Sequence, residues 1–193
     1  MGLSRSQVTL RVAGADDADF LAELWADSLR RADVREQVAD LESIIKDAAA
    51  SPEQRLVVAE YDGQRAGAVL LRTSTISPLN LEQSLQVLSP TVAPSFRRHG
   101  IGYSLMESAV GFADELGIPN LATAVGPGSR ESNRFMARLA LGPFATLRLA
   151  PTSAVRARLT AQRPSLTSSS GSGRQLTRVL AARRSMRRSQ DAS

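Results

Sequence analysis

The sequence predicts a single mixed α/β domain, a sheet flanked by helices, followed by a basic C-terminal tail. The first observation is periodicity: segments with an apolar residue at every second position alternate with segments that repeat every three or four residues. The second is length, since 193 residues allow one domain with a real core and are too few for two. The third is charge: residues 151–193 carry a net +8 from nine arginines and one acid, whereas residues 1–150 carry −3. We therefore divide the chain into a domain over 1–150, a helical extension over 151–164, and a Ser/Gly linker with an Arg-rich tail over 165–193.

The first half of the domain predicts a strand, two helices and a hairpin. Apolar and polar residues alternate over 7–12, which indicates a strand. A helix that Asp16 can cap follows it, and a second helix spans 34–50. From residue 55 the period changes to two, and Asp62-Gly63 between two apolar runs is typical of a tight turn. This turn joins predicted strands over 55–61 and 64–76.

The second half predicts strand, helix, strand, helix and a closing strand. The first strand, over 81–94, contains Ser89-Pro90, and because proline cannot donate to a ladder we expect a bulge or the end of pairing there. A helix over 103–116 then ends at Gly117, as glycine favours. The remaining elements are a strand over 120–125, a helix over 129–141 and a strand over 144–149.

The turn before the helix that ends at Gly117 carries the clearest functional signal. Its sequence is Arg97-Arg98-His99-Gly100-Ile101-Gly102. A turn from a strand into a helix directs free backbone N–H groups and the positive end of the helix dipole at one point. Two glycines leave room for a phosphate, and two arginines add positive charge. The turn therefore predicts a site for a phosphate-bearing cofactor; the alternative is a plain connection between strand and helix.

Other nucleotide motifs fit this turn less well. A dinucleotide fingerprint requires a third glycine, where this chain has Leu105. No Gly-Lys-Ser/Thr sequence occurs, which excludes a P-loop.

Together with Val92-Ala93-Pro94, the turn resembles the acetyl-CoA motif of the GNAT family of N-acetyltransferases. That motif is V-x-P, two residues, then Q/R-x-x-G-x-G/A, and the order of predicted elements also fits the family's fold. The resemblance implies an acetyl-CoA-dependent transfer to a primary amine, of a small molecule or a protein. It also implies which residues contact CoA: Val92 and Pro94 along the pantetheine, Arg97 beside the phosphates, and the backbone of Arg98, His99, Gly100, Ile101 and Gly102 on the pyrophosphate.

The catalytic residues are less well marked. Members of the family commonly use a tyrosine on the helix over 129–141 to protonate the departing thiolate, but this chain has Phe135 or Met136 there. Ser129 or Ser132, of which we name Ser132 as the candidate, substitutes through its hydroxyl, or water serves instead. Glu82 is the candidate general base, but a solvated charge at a strand end is the interpretation we favour for it, because exposed carboxylates are far commoner than catalytic ones. Asn133 either caps its helix or contacts the pantetheine arm.

Composition limits the remaining alternatives. Without cysteine and with a single histidine, we expect no metal site and a cytoplasmic protein, and no apolar run is long enough to span a bilayer. The family's fold usually ends with two strands, so either residues 155–159 cover the last sheet edge or a second copy supplies a strand and makes a homodimer. The Arg-rich segment 174–188 is an accessory extension in our main interpretation. The alternatives are a non-catalytic acyl-CoA-binding module and a nucleic-acid-associated protein that binds through this segment.

Overall fold

A five-stranded sheet forms the centre of the computed structural model, which describes residues 7–126 and 128–162. Helices cover both of its faces, and the predicted mixed α/β class is confirmed. The strands are β1 (Val8–Val12), β2 (Gln54–Tyr61), β3 (Gln64–Ser77), β4 (Asn80–Val92) and β5 (Asn120–Thr123); the helices are α1 (Ala18–Leu24), α2 (Val34–Ala50), α3 (Ile101–Leu116), α4 (Arg130–Arg138) and α5 (Thr152–Ala161).

The strands lie in sequence order, antiparallel from β1 to β4. The predicted tight turn joins β2 to β3, with Asp62 and Gly63 at φ 49° and 77°. Both values match the hairpin turn whose twist suits the flanking strands. The last pair, β4 and β5, is parallel, and α3 makes the crossover that a parallel pair requires. As predicted, α3 ends at Gly117, which has a φ of 67°.

The two faces of the sheet bury separate apolar clusters. On one face, α1 and α2 pack over β2 and β3 through residues such as Leu21, Leu41 and Val58. On the other face, α3 and α4 pack over β2, β3 and β4 through residues such as Leu85 and Leu105. Strands β2 and β3 contribute side chains to both clusters, whereas β4 packs into the second cluster only.

An ion pair between a buried aspartate and a partly exposed arginine fixes the junction between β1 and α1. The carboxylate of Asp17, 3% exposed, accepts hydrogen bonds from Nη1 and Nη2 of Arg11 at 2.7 and 2.8 Å and from the backbone N–H of Gly14 at 2.8 Å. These hydrogen bonds, first of all those from Arg11, hold the pKa of Asp17 below its usual range. Asp16 does not cap α1: the N-cap position is occupied by Asp17, whose carboxylate bonds back to Gly14 and makes no cap hydrogen bond to the helix.

Residues 143–162 form a second unit, in which the only described helix is α5. The helix falls inside the predicted extension over 151–164. The strand predicted over 144–149 is wrong, because residues 143–150 adopt no regular secondary structure. An alternating pattern becomes a strand only beside a hydrogen-bonded neighbour, and the sheet of the described residues ends at β5. The linker and the Arg-rich tail lie outside the described residues.

Candidate functional site

The turn between β4 and α3 presents five consecutive backbone N–H groups, those of Arg98 to Gly102. None of them donates to another group within residues 7–126 or 128–162. Arg98 and Gly100 have φ values of 68° and 83°, and such left-handed residues curve the backbone so that successive N–H groups converge. For arginine this conformation costs roughly 1 kcal/mol. The local backbone is therefore a preformed concavity for an anion.

Side chains around this turn hold it against the sheet. Ile101 is buried in the α3 cluster and anchors the first residue of the helix. His99 lies with its ring centroid 4.5 Å from that of Tyr61, and its Nδ1 is 3.2 Å from the carbonyl oxygen of Phe96. Pro94 begins a short 3-10 turn that ends at Phe96. The His99 side chain therefore packs against the residues that support the turn.

Helix α4 lies beside the start of α3. A Cβ on Gly102 would be 3.5 Å from the ring of Phe135, so the two elements approach closely. On the exposed side, Arg97 lies 3.9 Å from a carboxylate oxygen of Glu131. Asn133 donates its amide N–H to the carbonyl oxygens of Ser129 and Gly126, at 2.8 and 3.4 Å. Asn133 therefore braces the loop that precedes α4.

Strands β4 and β5 separate just below the turn. Their last register pair is Val87 with Thr123, where the threonine hydroxyl also donates to the Val87 carbonyl oxygen at 2.8 Å. Beyond this pair β5 ends while β4 continues to Val92. We call this opening, bounded by Val87 and Thr123, the splay.

A β-bulge follows immediately on β4. Ala68 pairs with Thr91 and Leu70 pairs with Leu88. Ser89 and Pro90 on β4 therefore lie opposite the single β3 residue between Ala68 and Leu70. The bulge expected at Ser89-Pro90 is confirmed. The bulge reverses the alternation of side chains along β4. Val87 and Val92 are five residues apart and would point to opposite faces of a regular strand, yet both pack into the apolar cluster under α3.

Comparison with protein families agrees with this geometry. The model of the acetyltransferase (GNAT) family matches residues 18–141, which span the turn, the splay and α4. The chain belongs to this family. It is a GNAT acetyltransferase, and its reaction is the transfer of an acetyl group from acetyl-CoA to an amine. The recognition made from the turn motif is thereby confirmed.

Individual relatives of this GNAT protein are distant. An uncharacterized N-acetyltransferase of Archaeoglobus fulgidus is 28% identical over 130 residues, 66% of this chain and 88% of the relative. The crystal structure of a transcriptional regulator from Bacillus halodurans is 17% identical with a TM-score of 0.62, over 75% of this chain and all of that one. An aminoglycoside N-acetyltransferase solved in complex with CoA is 15% identical with a TM-score of 0.64, over 78% of this chain and 98% of that one. At these identities the solved structures show the fold.

The structure places the two predicted catalytic residues in different regions of the GNAT domain. Ser132 is in the first turn of α4, and Ser129 Oγ donates to its hydroxyl at 2.7 Å. Glu82 lies exposed at the other end of β4 and accepts from the Asn120 amide at 2.9 Å. Five residues of strand, roughly 17 Å, separate it from Val87 at the splay. The structure thus brings Ser132 near the loop that leaves the splay and keeps Glu82 apart from it.

The sequence gives no hint of two contacts in this GNAT site. Threonine is common in strands, so nothing in the pattern marks Thr123 as the residue that closes the parallel pair. Tyr61 precedes the Asp62-Gly63 turn, and it contacts His99 only because the β2–β3 hairpin brings it close to the turn between β4 and α3.

No cluster of three His, Asp or Glu side chains suited to a metal occurs in the described part of the chain, nor does any helix there have the length and apolarity to span a bilayer.

Proposed function

We propose that the backbone N–H groups of residues 98–102 bind the pyrophosphate of acetyl-CoA. Their number, their convergence and the lack of an acceptor for them among the described residues support this role. Arg97 adds charge at the rim, and Val92 and Pro94 line the path of the pantetheine from the turn toward the splay. Asn133 contributes on the opposite side by holding the α4 loop in place.

The acetyl thioester lies at the splay in this proposal. Backbone N–H groups of β4 beyond Val87 have no β5 partner, so they can donate to the thioester carbonyl oxygen and stabilise the negative charge that develops there. A neutral primary amine attacks the carbonyl carbon; the C–N bond forms, the C–S bond breaks, and CoA leaves as a thiolate.

Two protons must move in this reaction. The departing thiolate takes one, and we propose Ser132 as the donor, polarised by Ser129 and by the N-terminal dipole of α4. The attacking amine loses the other. The position of Glu82 favours the solvated-charge alternative for that residue, so we assign this proton to water.

The five free N–H groups are the observation that carries the proposed function. Calorimetry with acetyl-CoA and, separately, with NADPH tests the cofactor, and we expect binding of acetyl-CoA alone. Acceptor-dependent release of free thiol over a panel of primary amines then tests turnover. Binding of NADPH with no binding of acetyl-CoA would contradict the placement of the cofactor.

A second candidate function is a non-catalytic acyl-CoA-binding module. The observation that favours it is on α4, where Phe135 and Met136 occupy the position at which the family commonly has a tyrosine. Neither side chain has a hydroxyl; Phe135 packs against Gly102 and Met136 is buried. Tight acetyl-CoA binding without thiol release for any amine of the panel would support this alternative.

The cellular setting is also part of the proposal. The absence of cysteine fits a reducing compartment, and we place the protein in the cytoplasm. We further propose that residues 1–150 carry the activity and that residues 151–164 and 165–193 are accessory. Sedimentation of the full chain tests for a homodimer, and a salt-dependent shift with duplex DNA tests the nucleic-acid alternative.

A further inference from the structure

The bulge on β4 is held by a side chain from the opposite layer of the domain. Trp25, directly after α1, is 5% exposed and belongs to the α1–α2 cluster. Its indole Nε1–H donates to the carbonyl oxygen of Ser89 at 2.9 Å. This is a contact between residues 64 positions apart, and it reaches the backbone two residues beyond the last β4–β5 pair.

The peptide unit that Trp25 holds is strained. Ser89 has a φ of 46°, a left-handed value that a residue with a Cβ adopts at a cost, and the proline after it disfavours the right-handed alternative. The Thr91 hydroxyl also donates to the Ser89 carbonyl oxygen, at 3.0 Å. On β3, a Cβ at Gly67 would meet the Thr91 carbonyl oxygen at 2.7 Å, so β4 approaches that strand closely after the bulge. Such a conformation persists only where its surroundings determine it.

We propose that Trp25 is a positioning residue for acetyl transfer: by holding the Ser89 carbonyl it fixes the bulge, and the bulge sets the direction of the β4 N–H groups that meet the thioester. This inference rests on the proposed placement of the thioester at the splay. The effect belongs to the transition state, because the pyrophosphate site at residues 98–102 begins eight residues beyond Pro90 and does not depend on the indole.

Substitution of the tryptophan tests the proposal after wild-type thiol release has established turnover. Trp25→Phe keeps an aromatic ring in the cluster and removes the N–H donor. We expect kcat to fall about tenfold, the equivalent of about 1.4 kcal/mol, while the Kd for acetyl-CoA stays within about twofold. Phe20→Leu is the matched control: it lowers packing in the same cluster, has no bond to β4, and should leave kcat unchanged. Equal kcat in Trp25→Phe and wild type would refute the proposal, as would an equal fall in the Phe20→Leu control.

A rescue variant separates positioning from packing. Glycine adopts a left-handed φ freely, so Ser89→Gly should allow the bulge to persist without the indole. We expect Trp25→Phe/Ser89→Gly to recover most of the lost kcat; a merely structural role of Trp25 would give no recovery. If Trp25→Phe does not fold, Thr91→Val removes the other donor to the same carbonyl, and it should lower kcat severalfold without a change in the acetyl-CoA Kd. Unchanged kcat in that variant would overturn the proposal.

The chain also provides a direct spectroscopic readout, because Trp25 is its only tryptophan. Its indole N–H gives a single resonance in an amide correlation spectrum. We expect this proton to exchange slowly with solvent and its shift to change when acetyl-CoA is added. Exchange at the rate of a free indole would show that the hydrogen bond does not form and would contradict the inference.

Discussion

Placing a negative charge at Gly100 tests the anion site most directly. A Cβ at this position meets nothing within 4 Å, so a longer side chain fits without a clash. The backbone has a φ of 83°, however, and any residue other than glycine pays roughly 1–2 kcal/mol there. Gly100→Gln carries the same strain and nearly the same shape as Gly100→Glu, without the charge. The comparison of the two variants isolates electrostatics.

The expected magnitude follows from the distance between the charges. A glutamate at residue 100 puts its carboxylate about 6 Å from a phosphate bound to the adjacent N–H groups, which at an effective dielectric constant of about 20 is unfavourable by ~3 kcal/mol. Since each ~1.4 kcal/mol is tenfold, CoA should bind Gly100→Glu about 100-fold more weakly than Gly100→Gln. Both variants should melt a few degrees below wild type because of the shared strain.

Calorimetric titration with CoA measures both affinities, and thermal melts confirm the fold. The gap should shrink in about 1 M salt, where the Debye length is roughly 3 Å. Pantetheine, which lacks the pyrophosphate, is the control ligand and should not distinguish the variants. If CoA binds both variants equally at low salt, the phosphate does not lie at this turn and the proposed site is wrong.

The remaining predictions concern catalysis, stability and the tail. Ser132→Ala should lower kcat by about 100-fold with an unchanged acetyl-CoA Kd, and an unchanged kcat in the thiol-release assay would exclude a serine donor. Glu82→Gln should lower kcat less than about threefold; a fall of about 100-fold would instead make it the base. Asp17→Asn should cost about 2 kcal/mol in denaturant unfolding, because it weakens the charge-assisted hydrogen bonds from Arg11, which stays paired with Glu60. Since the pKa of Asp17 is lowered in the folded state, its contribution is present above about pH 4 and is lost as pH falls through the folded value, a loss that Asp17→Asn should not show. Deletion of 165–193 should leave kcat and KM unchanged, and a large fall in turnover would refute an accessory tail.

Much of the fold is predictable because local signals and tertiary packing agree. Helix α2 begins and ends at the predicted residues, and the Asp62-Gly63 hairpin forms as its turn chemistry requires. The strand predicted over 144–149 rests on alternation alone, and alternation does not specify a neighbouring strand. The shorter β5, which ends at Thr123 and not at residue 125, shows the same limit, since pairing stops where β4 bends away.

The binding half of the site is readable from sequence for a chemical reason. Recognition of a phosphate by backbone N–H groups needs glycine and a fixed spacing at a helix start, and both are visible in the chain. The residues that shape the splay form no comparable sequence motif. Whether Trp25 reaches the Ser89 carbonyl depends on how α1 crosses the sheet, and a tryptophan at this spacing is equally typical of a core.

Helix α4 explains why the catalytic half stays harder to predict. Phe135 lies on Gly102 and edge-on to Tyr103, at 5.2 Å between ring centroids, so this position covers the start of α3 and does not offer a proton. In the proposed mechanism the proton donor is therefore Ser132 in the first turn of α4, where it is hydrogen-bonded to Ser129. A serine hydroxyl is a weaker acid than a tyrosine, so its use slows the release of thiolate and leaves the phosphate contacts intact. We therefore expect a low kcat combined with ordinary CoA affinity, and a low affinity would instead place the defect in the turn.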